Sequence, residues 1–108
     1  MARLGLRTAL LTPLGRDLMG ELIRTHLTGA GGAVLTDDSE PPTPTALVTL
    51  DEQGQAHCEF AITWSLRRAS PPRAGHVHLG SLASVMVPGA AHARQLLRDL
   101  RASGTTVS

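Results

Sequence analysis

The residue types and spacings in this 108-residue sequence offer a few candidates for chemistry. His76-Val77-His78 puts two imidazoles on one face of a strand, because strand side chains alternate, and such a pair can hold a metal ion. A third ligand would have to come from His57, Cys58 or His92, at no recognised metal spacing. The expectation is therefore a ladder of half-buried histidines on a sheet face and no metal site. Cys58 with a histidine and an acid would make a nucleophilic centre. It falls instead on the apolar side of an alternating segment and reads as a packing residue. Gly29-Ala30-Gly31-Gly32 would cradle a phosphate if a strand preceded it and a helix followed. The run follows a helical segment, so it reads as a helix C-cap. No serine stands in a Gly-x-Ser-x-Gly elbow.

These residues must be positioned by a short series of elements. Thr8–Thr12 is an apolar run that fits a strand buried on both faces. Asp17 can cap a helix carrying Leu18, Leu22, Ile23 and Leu27 at helical spacing, with Arg24 facing out. Ala33–Leu35 is a second short strand, and residues 36–44 form turns. Thr45–Leu50 and Ala56–Trp64 pair across a Gly54-containing loop, with Cys58, Phe60, Ile62 and Trp64 on one face. That ribbon is weak alone and needs something to lie on. After a polar connection over Arg67–Ala74, His76–Leu79 is a strand followed by Gly80-Ser81. Pro88 suits the first turn of a helix with Ala93, Leu96, Leu97 and Leu100 inside and Arg94, Arg98 and Arg101 outside. Gly104 ends it, and Thr105–Ser108 begins another strand. The alternation predicts a parallel α/β sheet with an inserted antiparallel ribbon. Both ends of the sequence lie at buried-type strands, which reads as a cut domain.

Composition narrows the classes. The ten basic residues are all Arg and the net charge is +1, which excludes a nucleic-acid binder that works by bulk charge. Aromatics make up 2%, too few for a base-stacking surface, and 42% hydrophobic residues are too many for a disordered chain. One cysteine excludes an internal disulfide framework. No apolar run approaches a membrane span. The Arg-bearing N-terminus resembles a transit peptide only weakly; a buried strand fits it better, and the expected location is cytoplasmic. A chain of this size buries about 65% of its unfolded surface, so it folds alone with little margin.

The ordered set of motifs resembles the ribokinase-like (PfkB) carbohydrate kinases, fructokinases among them. Ala2-Arg3-Leu4-Gly5 precedes a strand, and Gly15, Asp17 and Gly20 form a Gly-x-Asp-x-x-Gly that opens a helix. Arg16 stands where family members often carry a second acid. Pro42–Asp51 looks like the first lid strand, Gly54 its turn, and Glu59-Phe60 the second. His78–Ala83 looks like the sheet strand that ends in Gly-Ser beside the sugar. Ala102–Ser108 looks like the lead-in to a strand that continues in the family into Asp-Pro-Asn.

The resemblance implies a fold class, α/β, with a partial ribokinase-like parallel sheet and an antiparallel two-stranded lid ribbon. Residues 1–36 and 75–108 would form the sheet segment of one partial domain, and 37–74 the lid ribbon and its connection. It implies an ATP-dependent kinase that phosphorylates a fructose-like sugar. The family's Gly-Ala-Gly-Asp, with its general base, has no counterpart here, and neither has its ATP site. ATP and Mg2+ are thus expected of the whole family fold, with no catalytic, metal or cofactor-binding residue in this chain, which is expected to be inactive alone. Substrate contacts are expected at Phe60, Thr45, Gly80 and Ser81. The ribbon would close over the sugar and exclude water, and a homodimer could form through it. The alternative is a non-catalytic sugar-binding or dimerisation module. Neither nucleic acid nor membrane is an expected partner.

Overall fold

A computed structural model describes residues 1–36, 42–67, 70, 71 and 73–108. Part of the turn-forming stretch (37–41) and part of the polar connection (68, 69, 72) lie outside the described residues.

After a 3-10 turn at Ala2–Leu4 come strand β1 (Ala9–Leu11), helix α1 (Leu18–Gly29) and strand β2 (Ala33–Leu35). β1 and β2 pair in parallel, Ala9 opposite Ala33 and Leu11 opposite Leu35. The pairing runs on at both ends, since Ala33 N–H donates to Thr8 and Thr12 N–H to Leu35. α1 starts where Asp17, in extended backbone, accepts from Gly20 N–H at 2.8 Å. It ends where Gly32 N–H returns to the Leu27 carbonyl and Gly31 takes a φ of 81° that glycine adopts without strain. The glycine run is a cap, as its place after a helix predicts.

The ribbon is β3 (Thr45–Leu50) and β4 (Ala56–Ala61), antiparallel, with Val48 opposite Cys58. Asp51 builds its turn, its carboxylate accepting from Gln53 and Gln55 N–H while Gly54 sits at φ 78°. β4 stops at Ala61, so the alternation foreseen through Trp64 is cut short. Trp64 forms a parallel bridge with Pro88 instead, and its carbonyl accepts from Gly89 N–H at 2.8 Å. The backbone leaves the ribbon to join the body.

β5 (His76–Val77) pairs in parallel with β6 (Thr106–Val107), and Leu79 N–H extends the ladder to Ser108. Between them lie a 3-10 turn at Leu82–Ser84 and helix α2 (Gly89–Ala102). Of the predicted stripe on α2, Ala93 is buried and Leu96, Leu97 and Leu100 are half-buried, with Ala90 buried beside them, and Arg94, Arg98 and Arg101 are exposed as expected. Pro88 occupies the residue before the first helical one.

Three expectations need correction. Among the described residues the strands form three separate two-stranded ladders, not one continuous parallel sheet. β1 is not buried on both faces: Leu10 is 45% exposed, and β1 has one strand neighbour among the described residues. On α1 Leu18 at 70% and Leu22 at 56% are exposed, while Leu27 is half-buried and so is Arg24, beside Glu21 at 3.6 Å. The core is small: Leu14, Leu66, Ala90 and Ala93.

Candidate functional site

The Gly-x-Asp-x-x-Gly segment makes a clasp. Asp17 Oδ1 accepts from the Thr43 hydroxyl at 2.6 Å and from Gly20 N–H, and Oδ2 accepts from Thr43 N–H at 2.8 Å. The Thr43 oxygen in turn accepts from Gly15 N–H at 3.0 Å. Thr43 is 4% exposed and lies two residues before β3. One carboxylate therefore caps α1 and holds the foot of the ribbon. Gly20 has to be glycine here: a Cβ would overlap the Gly15 carbonyl oxygen and press on the Thr43 hydroxyl. These hydrogen bonds, first those from the Thr43 hydroxyl and Thr43 N–H and then that from Gly20 N–H, hold the Asp17 carboxyl below its ordinary 3.8.

Sequence reading identified Asp17 as a cap and missed Thr43. The available signal was Thr43 between Pro42 and Pro44, since a residue before proline is driven to the extended backbone that presents its N–H sideways.

Beside the clasp is a cavity of about 330 Å³. Leu10, Thr12 and Leu14 form one wall, Thr43, Pro44 and Ile62 the ribbon's foot, and Trp64, Leu82 and Met86 the far side. It is mostly apolar, and the Trp64 indole N–H is buried without a partner. Gly89 lets the Trp64 ring lie against the start of α2, where a Cβ would come within 2.6 Å of it.

None of the four expected substrate contacts, Phe60, Thr45, Gly80 and Ser81, lines this cavity. Cross-strand partners share a face, so Phe60 lies with Ala46, Val48, Cys58 and Leu50 on a wholly apolar face. Thr45, opposite Ala61, lies on the other face with Leu47, Thr49, His57 and Glu59. The ribbon cannot present Phe60 and Thr45 to one ligand from the same face. Phe60 is 68% exposed. Gly80 and Ser81 are exposed at the C-terminal end of β5, with the Ser81 carbonyl accepting from Ser84.

The described residues hold no group of three or more histidines, cysteines or acids able to take a metal. His57, Cys58 and His92 do not join the His76–His78 pair; His92 meets the Leu66 carbonyl and His57 lies near Asp51. His76 and His78 are exposed, not half-buried, because β6 covers only one edge of their strand. The glycine run closes a helix, and no three acids, histidines or cysteines cluster among the described residues. No helix among the described residues is long and apolar enough to cross a membrane.

Comparison with known proteins gives the geometry a context. Neither a family model nor a curated protein sequence matches the chain. Solved structures do. The apo fructokinase of Vibrio cholerae O395 superposes with a TM-score of 0.84 at 26% identity, over 98% of this chain and 40% of that one. The same enzyme with fructose, ADP and calcium ion bound gives 0.75 at 23%, over 98% and 37%. The Xylella fastidiosa fructokinase gives 0.76 at 22%, over 98% and 36%. The chain thus spans about two fifths of the length of the fructokinases it matches. The resemblance read from the motifs is borne out, and these residues carry the fold of a section of a ribokinase-like carbohydrate kinase of the fructokinase kind.

Proposed function

We propose that this chain is the lid-bearing section of a cytoplasmic, ATP-dependent sugar kinase acting on a fructose-like substrate. The observation that carries the reading is the match to fructokinases over 98% of the chain. In this reading residues 37–74 are the lid and its connection, and 1–36 with 75–108 are part of the floor. The sugar lies under the foot of the ribbon, toward Gly80 and Ser81 at the strand end, where α/β sheets place ligands. Phe60, on the apolar face, meets the ligand or a partner ribbon; Thr45, on the opposite face, has a separate contact.

The clasp supports this reading. A lid must swing on a fixed foot, and Asp17 fixes Thr43 by two of its own hydrogen bonds.

The general base and the nucleotide and Mg2+ sites lie outside these residues, so the chain alone transfers no phosphate. Assaying ADP formation from ATP with fructose or ribose tests this. The expected result is no turnover by the 108 residues, and turnover when they stand within a longer polypeptide that supplies the base and nucleotide site. Appreciable turnover by the short chain overturns the placement of the base; a silent longer polypeptide overturns the kinase reading. A second role is favoured by the exposed Ala46–Val48–Phe60 face: pairing of two copies through their ribbons.

A further inference from the structure

We infer that His76 and His78, on the β5–β6 ladder, form a two-imidazole chelate for a borderline transition-metal cation, Cu2+ foremost. His76 lies in β5 and His78 one residue past its end, where the ladder continues through Leu79 N–H to Ser108, so the two side chains, two residues apart in extended backbone, fall on one face. Their rings converge on one point: His76 Nε2 lies 2.9 Å and His78 Nδ1 3.1 Å from the same atom, Ser108 Oγ. Ring positions that already meet need little reordering to take a common ligand.

The surrounding hydrogen bonds leave the His76 nitrogen ready. The Thr106 hydroxyl donates to the Gly75 carbonyl at 2.9 Å, so its one proton is committed. The Thr106 oxygen must then accept from His76 Nδ1–H, at 2.7 Å. A neutral His76 with its proton on Nδ1 presents Nε2 as a lone pair. This is the arrangement of a metal-bound histidine, whose second nitrogen donates to an outer group that fixes ring and tautomer. Ser108, by the same count, donates to His76 Nε2 and accepts from His78 Nδ1–H. A metal ion takes the two ring lone pairs, and the Ser108 hydroxyl keeps its proton and turns it to water. His78, exposed to solvent, carries its own proton on Nε2 once Nδ1 is a ligand. The Ser108 oxygen and water complete the shell.

Two imidazoles, joined by no aspartate, glutamate or cysteine among the described residues, select the metal. They suit copper, nickel and zinc, with Cu2+ tightest in the usual order, and they do not suit Mg2+, which takes oxygen ligands. The site is therefore distinct from any Mg2+ that serves phosphoryl transfer, and it does not depend on the kinase reading.

Calorimetric titration of the whole chain with CuCl2, NiCl2 and MgCl2, with electron paramagnetic resonance of the copper form, tests it. The expected result is one Cu2+ with two nitrogen ligands, weaker Ni2+ and no measurable Mg2+ binding. His78→Gln removes a single 3.1 Å contact at an exposed residue and should weaken Cu2+ at least about tenfold, as should His76→Gln; Thr106→Val, which frees the ring, should weaken it about tenfold. His57→Gln should change nothing. Circular dichroism establishes that each variant is folded. Unchanged Cu2+ affinity in folded His78→Gln, a single nitrogen ligand, or Mg2+ binding as tight as Cu2+ would overturn the inference.

Discussion

One carboxylate, that of Asp17, links a helix start to a segment 26 residues away, and the consequences can be measured residue by residue. Thr43→Val keeps the shape of a buried side chain but strands the Gly15 N–H and leaves Asp17 Oδ1 with the Gly20 N–H as its one remaining donor. It should cost about 1–3 kcal/mol in urea unfolding. Gly20→Ala drives a methyl into the Gly15 carbonyl and should cost about as much or more. The Asp17 carboxyl is held below 3.8, so the folded state binds its proton less readily than the unfolded chain. Its stabilisation is present above the unfolded value and is lost as pH falls through the lower folded one. Melting temperature measured from pH 6 downward should drop in that acid range for the natural chain, and less for Asp17→Asn. At this scale the sequence was half legible. A cap is a local event, so Asp17 stood out from its neighbours. Its bond to Thr43 joins side chains far apart in the chain, and no periodicity encodes that. The exposure of His76 and His78 was hidden for a similar reason, since it depends on how many strands pair beside them.

Elements show the same division. Strand alternation located the ribbon and the face that carries Cys58 and Phe60, and the apolar stripe of α2 came out with Ala93 inside and its arginines outside. The end of β4 was misjudged because alternation continues in the residue types to Trp64 while the backbone is drawn away by the Trp64–Gly89 hydrogen bond. The apolar spacing on α1 was real, but spacing names a face and does not say that anything covers it. A two-stranded ribbon with both faces exposed opens easily. Amide exchange should therefore be faster at 45–61 than in α2, and a ribbon as protected as the helix would contradict this account. Phe60→Ser should shift thermal stability by no more than about 0.5 kcal/mol, because the ring is already in solvent.

The molecule as a whole is extended. Its principal extents are 52 × 31 × 27 Å and its radius of gyration is 15.6 Å, against about 13 Å for a compact chain of this length. Its accessible surface is 7970 Å², where a compact protein of the same mass shows about 5,700 Å². The surplus of about 2,200 Å² exceeds the roughly 800 Å² that each partner gives to an ordinary protein interface. Leu10, Leu18, Leu22, Val48, Leu50 and Phe60 all belong to that surface. The 108 residues should bind an apolar dye strongly and associate as concentration rises in sedimentation velocity. Phe60→Ser should weaken the association if it runs through the ribbon, and a dye-silent monomer at all concentrations would refute the open surface. Chain length announced a slim folding margin; which helix and strand faces would lie bare depends on tertiary packing, which length does not encode.

Trp64, the sole tryptophan, stands where ribbon, α2 and cavity meet, with its indole N–H enclosed and unpaired. Indole emission responds to polarity at that nitrogen, so the molecule carries its own optical gauge. A guest or segment that filled the cavity would alter colour and intensity without any attached label, while events at the far tip of the hairpin would leave the signal still.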